Sequence, residues 1–127
     1  MTDQGASGAT EVLQPSNPED LKIIGLARSA RARTNAAQGA SVRDTDGRTY
    51  AATNVELPGH ALSALVVALA MAVSSGAEGL EAAALSSEVG PTEADVAVLS
   101  GLPGTGVVLW WTDPAGVVKS LVDVAAP

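Results

Sequence analysis

The chain has no cysteine and no phenylalanine, and only one tyrosine and two tryptophans among 127 residues. Lack of cysteine excludes disulfides and every thiolate metal site. With aromatic residues at 2%, Ala, Val and Leu must fill the interior, which favours close helix–sheet contact over deep aromatic pockets. Positive charge is also scarce: seven Lys and Arg stand against fourteen Asp and Glu, for a net charge of −7. A surface of that sign disfavours direct nucleic-acid binding on electrostatic grounds. The apolar run from Ala61 to Val73 is too short to span a bilayer. The N-terminal MTDQGASGATEVLQ lacks the basic-then-apolar order of a signal sequence. These absences lead us to expect a soluble, cytoplasmic protein without a membrane partner.

What is present suits one compact domain. Residues 1–15 are Gly-, Ser-, Ala- and Thr-rich without periodicity and are expected to form a mobile tail, followed by a single domain over 16–127. Helix-start signals coincide at Ser16-Asn17-Pro18-Glu19-Asp20: a capping side chain, a proline suited to the first helical position, and acids at the positive end of the dipole. The spacing predicts a helix over 18–34, with Arg28, Arg31 and Arg33 in its later turns.

Residues 39–53 read as a hairpin turning at Asp46-Gly47. Asn54 to His60 read as a connection, and Ala61 to Ser75 as a central helix, apolar on nearly every side and ended by Gly76. Leu80 to Ser86 is expected as a strand, Pro91-Thr92-Glu93 as the start of a short helix, Thr105 to Trp111 as a strand, and Val117 to Val122 as a final strand-like edge. Hairpins give antiparallel pairs and intervening helices permit parallel crossovers, so the fold class is α/β, a sandwich with one mixed sheet.

Candidate chemistry is sparse. Asn54 and Glu56 lie two apart at a strand end, where alternation can aim both the same way. An amide and a carboxylate so placed suit sugar hydroxyls, although Asn54 could equally cap its own turn and leave Glu56 in solvent. The single histidine, His60, needs companions to hold a metal; Glu56, Glu93 and Asp95 are the nearest in the pattern, with no ligand-spacing motif to join them. Gly101-Leu102-Pro103-Gly104 is a turn and not a phosphate loop, because the Lys and Ser/Thr that complete such a loop are missing.

The element order, the stretch GASVRDTDGRTYAATNVE and the helix ending VSSG resemble the small cytidine deaminases. In that family a Gly-Ala strand, a DG turn and an N-V-E segment precede a helix opening with Cys-Ala-Glu or His-Ala-Glu, and a later helix opens with Pro-Cys-x-x-Cys. The resemblance runs over roughly residues 18–122. It implies a three-layer α/β/α sandwich with a roughly five-stranded sheet, and a homodimer or homotetramer in which central helices approach one another. It also implies that Asn54 and Glu56 hold a nucleoside's ribose hydroxyls. Ser63, Thr92 and Asp95 then stand where three zinc ligands belong, and Leu65 where the proton-relaying glutamate belongs. Ala36 falls near the place of an aromatic in the family's substrate pocket, and the connection from Asn54 to Ser63 is shorter than the family's.

A neutral hydroxyl is a poor zinc ligand, and one aspartate cannot hold the ion tightly. The expectation is therefore a catalytically inactive deaminase-like protein with no cofactor, acting as a binding or assembly module. Two alternatives stay open at this level. One is a hydrolase acting on a nucleoside or related amine through a rebuilt site of Glu56, His60 and Asp95. The other is a scaffold for a protein or RNA-associated partner, docking through the Arg28, Arg31 and Arg33 face.

Overall fold

The structure is a computed structural model that describes residues 14–124; the expected N-terminal tail falls for the most part outside this range. Helix α1 spans Pro18–Thr34, the span its cap signals predict. Asn17 is the N-cap, its side chain accepting from the Glu19 N–H at 2.9 Å, and Asn35 ends the helix in the left-handed region with φ 53°. Strands β1 (Gln38–Asp44) and β2 (Thr49–Thr53) form the expected hairpin, with Gly47 at positive φ in the turn.

The next segment departs from expectation. Asn54 to His60 is no simple connection: β3 (Val55–Leu57) and β4 (His60–Leu62) pair antiparallel around Pro58-Gly59, giving a two-stranded ribbon apart from the main sheet. Gly59 has φ 79°, the conformation that a turn requires at this point and that glycine adopts without penalty. Helix α2 therefore begins later than expected, at Ala64–Ser74, because Ser63 caps it by accepting from the Val66 N–H at 3.2 Å. Strand β5 (Leu80–Ser87), helix α3 (Glu93–Leu99), strand β6 (Val108–Thr112) and strand β7 (Val118–Asp123) follow. The Val117–Val122 segment, which fits helix or strand by sequence, is a strand.

The main sheet has the order β2-β1-β5-β6-β7, with β5 and β6 parallel and the other neighbours antiparallel. Alternation along β1 and β5 splits the core in two. Ala40, Val42, Ala83 and Leu85 face α2, where Leu65, Ala68, Leu69 and Ala72 meet them, with Leu99 of α3 in the same cluster. Ala82 and Ala84 face α1, where they meet Ile23, Ile24 and Ala27, with Trp110 of β6 alongside. The result is the expected three-layer α/β/α sandwich with a mixed five-stranded sheet. Small residues bring the layers close: a Cβ on Gly39 would collide with the Ala27 carbonyl oxygen and come within 2.8 Å of Arg31 Cβ, so only glycine lets α1 cross β1 there.

Six of the seven bases, Lys22, Arg28, Arg31, Arg33, Arg43 and Arg48, fall between residues 21 and 48, and they do not share one surface. Arg43 is buried, its Nε donating to Glu81 Oε1 at 2.8 Å and its NH1 lying 3.0 Å from Asp20 Oδ1. Trp110 Nε1 donates to Asp20 Oδ2 at 3.2 Å, so the charges tie α1, β1, β5 and β6 together. Arg28 lies over the turn at Gly116, and Arg48 faces Asp46 at 3.9 Å in solvent.

Asp44 closes the first hairpin. Its Oδ1 accepts from the Asp46 and Arg48 N–H groups, each at 2.9 Å, and its Oδ2 from the Tyr50 hydroxyl at 2.9 Å. Burial alone would raise its pKa, but the Arg48 N–H, the Tyr50 hydroxyl, the Asp46 N–H and the Arg48 charge outweigh burial and hold it below the ordinary carboxylate range. A depressed folded-state pKa contributes stability that is complete above the unfolded value and lost as pH falls through the folded one. Urea unfolding is expected to show the wild type weakening on acidification through that window, and Asp44→Asn to lose that part of the slope. An unchanged slope in Asp44→Asn would sink this assignment.

Candidate functional site

A cavity of ≈ 660 Å³ opens where α1 ends, β1 begins, β2 gives way to the ribbon, α2 begins and β5 ends. Each contributes side chains: Arg31, Asn35 and Ala36 from the end of α1, Gln38 from β1, Asn54 and Glu56 from the ribbon's approach, Ser63 from the α2 cap, and Ser87, Glu88 and Val89 from the end of β5. Its volume is that of a site for a small organic ligand.

Both residues picked out for hydroxyl recognition line it. Asn54 does not cap its own turn; its Oδ1 accepts from the Gln38 N–H at 3.0 Å, tying the ribbon's start to β1. Gln38 in turn accepts the Ala64 N–H on its Oε1 at 3.0 Å, satisfying one of the free donors at the head of α2. With both amide oxygens used, the two NH2 groups remain as donors beside the Glu56 carboxylate. Gln38, Ser87 and Glu88 were not singled out from sequence, and Arg31 was named there only as part of a docking face and not as a cavity residue. The readable signal was polar residues at the ends of apolar strands, Gln38 before Gly-Ala and Ser87-Glu88 after AAALS.

The positions that the resemblance assigns to zinc ligands do converge. Ser63 Oγ donates to Asp95 Oδ1 at 2.7 Å. Asp95 Oδ2 accepts from the Thr92 N–H at 3.4 Å, while Thr92 Oγ1 accepts from the Asp95 N–H at 3.1 Å, a capping box on α3. One carboxylate thus stands at the heads of two helices, where negative charge is favoured. This donor set does not fit zinc. It offers two neutral hydroxyls and one anion, and all three side chains are already used in caps. Leu65 is fully buried in the core beneath α2.

The residues of the rebuilt-site alternative are not so gathered. His60 and Glu56 are exposed on the ribbon, where His60 pairs with Leu57 and Glu56 with Ala61, while Asp95 is buried against Ser63. Among the described residues, no group of three His, Asp or Glu side chains could hold a metal ion. Nor is any helix among them long and apolar enough to cross a membrane.

Solved structures of cytidine deaminases share this architecture. The enzyme from Burkholderia pseudomallei superposes with a TM-score of 0.71 at 24% identity, over 82% of this chain and 91% of that one. The Mycobacterium tuberculosis enzyme gives 0.64 at 23%, over 82% and 89%. The Mycobacterium leprae enzyme gives 0.60 at 22%, over 77% and 89%. At these identities the likeness speaks for the fold alone. No curated protein matches the chain by sequence. The family profile described as cytidine deaminase-like matches residues 16–116, most of the chain and all of the cavity's lining. On that match the chain belongs to the cytidine deaminase-like family.

Proposed function

We propose that this protein is a cytidine deaminase-like member without deaminase activity, acting as a self-associating binding module for a small hydroxylated ligand. The observation that carries this reading is the Ser63–Asp95–Thr92 cap over a buried Leu65. In zinc deaminases the metal makes water nucleophilic and a glutamate relays protons to the base. Neither role has a candidate at these four positions. Asn54 and Glu56 in the cavity support binding without turnover.

Self-association is supported by α2. Its Ala64, Leu65, Ala68, Leu69 and Ala72 are buried, yet Met71 and Val73 on the other side are 41% and 52% exposed. Leu57 and Leu62 of the ribbon are exposed as well. Exposed apolar side chains on both elements support this reading. The acidic, cysteine-free composition supports a cytoplasmic setting and argues against nucleic acid as a direct partner.

One preparation tests both parts. After incubation with zinc and dialysis, metal analysis is expected to find far less than one zinc per chain. Cytidine and deoxycytidine should release no ammonia above the uncatalysed rate, and sedimentation should give a dimer or tetramer mass. Stoichiometric zinc or sustained ammonia release would overturn the inactive reading; a monomer at micromolar concentration would overturn the assembly reading.

A further inference from the structure

We infer that the ligand of this cavity carries an anionic group beside its hydroxyls, as a nucleoside monophosphate does, and that Arg31 is the anion's partner. The inference rests on the binding reading above and names the ligand class for the same cavity.

Arg31 stands in the last turn of α1, its backbone set by the close crossing at Gly39. Its side chain lines the cavity, and its Nε is buried without a hydrogen-bond partner among the described residues. Arg43 and Arg48 each face a carboxylate; Arg31 has none in ion-pair range among those residues. A planar guanidinium that lines a cavity without a carboxylate partner is open to an anion, and its fork matches phosphate or carboxylate oxygens.

The rest of the lining narrows the ligand. The amide oxygens of Asn54 and Gln38 are occupied by backbone N–H groups, so both side chains offer donors. Glu56 and Glu88 offer only acceptors when ionised and would repel an anion that filled the cavity alone. A ligand meeting all of these sets its hydroxyls against Glu56 and its anion against Arg31. A sugar phosphate does both; inorganic phosphate lacks the hydroxyls and a free nucleoside lacks the anion.

The test is a chemical-shift titration of the full chain with cytidine, cytidine monophosphate, ribose 5-phosphate and inorganic phosphate, repeated on Arg31→Gln, Arg31→Lys and Glu56→Gln. The monophosphate is expected to bind at least about tenfold more tightly than cytidine, as a charge-assisted pair provides. Arg31→Gln should erase that difference, Arg31→Lys should restore part of it, and Glu56→Gln should weaken both ligands. Added salt should weaken the monophosphate and spare cytidine in the wild type, a measurement that needs no variant to fold. Ribose 5-phosphate binding as well as the monophosphate would support recognition through the sugar phosphate. Equal affinity for cytidine and its monophosphate would overturn the role of Arg31 while leaving the binding reading intact. Phosphate binding as tightly as the monophosphate would overturn the two-part ligand, and silence with all four probes would overturn both readings.

Discussion

Leu65→Glu is expected to destabilise the protein by about 4 kcal/mol or more, and not to awaken chemistry. Leu65 is fully buried in the core cluster that holds Ala40, Val42, Ala68, Leu69 and Leu85. A carboxylate there loses its hydration, and the leucine's packing is lost as well; core truncations alone cost about 2–5 kcal/mol. Against a total stability of about 5–15 kcal/mol for a domain, that removes a large share. The melting temperature should fall by roughly 16 °C, since about 1 kcal/mol shifts a domain of this length by about 4 °C. Leu65→Met keeps volume and polarity and should cost less than about 1.5 kcal/mol. Calorimetry on the two variants decides the matter. If Leu65→Glu melts with the wild type, residue 65 opens onto the cavity and the assignment of this position to the core is wrong.

Arg43→Ala is the second large loss, at about 3–5 kcal/mol by denaturant unfolding. The guanidinium is buried between Asp20 and Glu81, and the Trp110 indole N–H shares Asp20. Burial alone would lower the Arg43 pKa, but the bonds to Glu81 and Asp20 and their charges raise it instead. Removing it strands the Asp20 carboxylate, itself buried, without its cation, and an uncompensated buried charge costs far more than an exposed ion pair is worth. Glu81 is more exposed and can turn to water, so Glu81→Ala should cost under about 1 kcal/mol. Arg43→Ala with Asp20→Asn should recover part of the loss, because the stranded charge is then gone. Equal effects of Arg43→Ala and Glu81→Ala would contradict this account.

Most of the fold could be read from local chemistry. Asn17 and Pro18 set the start of α1, Asp46-Gly47 the first turn, and Pro91-Thr92-Glu93 the head of α3, because each signal acts within four residues. The ribbon was missed for the same reason. Its strands are three residues each, too short for alternation to show, and ALSALVV continues apolar through β4 into α2, hiding the cap at Ser63. The cavity was half legible. Asn54 and Glu56 could be named because they share a short motif, whereas Arg31 and Ser87 meet only through the crossing of α1 over β1 and the β1–β5 pairing. The bond from Ser63 to Asp95 spans 32 residues and has no local signature at all.

The ribbon of β3 and β4 has a ladder of its own, separate from the five-stranded sheet. A two-stranded element outside the main sheet has fewer partners than a helix packed on that sheet, so the Glu56 wall is expected to open at lower free-energy cost than the Arg31 wall on α1. Ligand occupancy and ribbon closure would then be a single linked equilibrium. On that expectation the apparent affinity of the cavity scales with the fraction of time the ribbon stands closed.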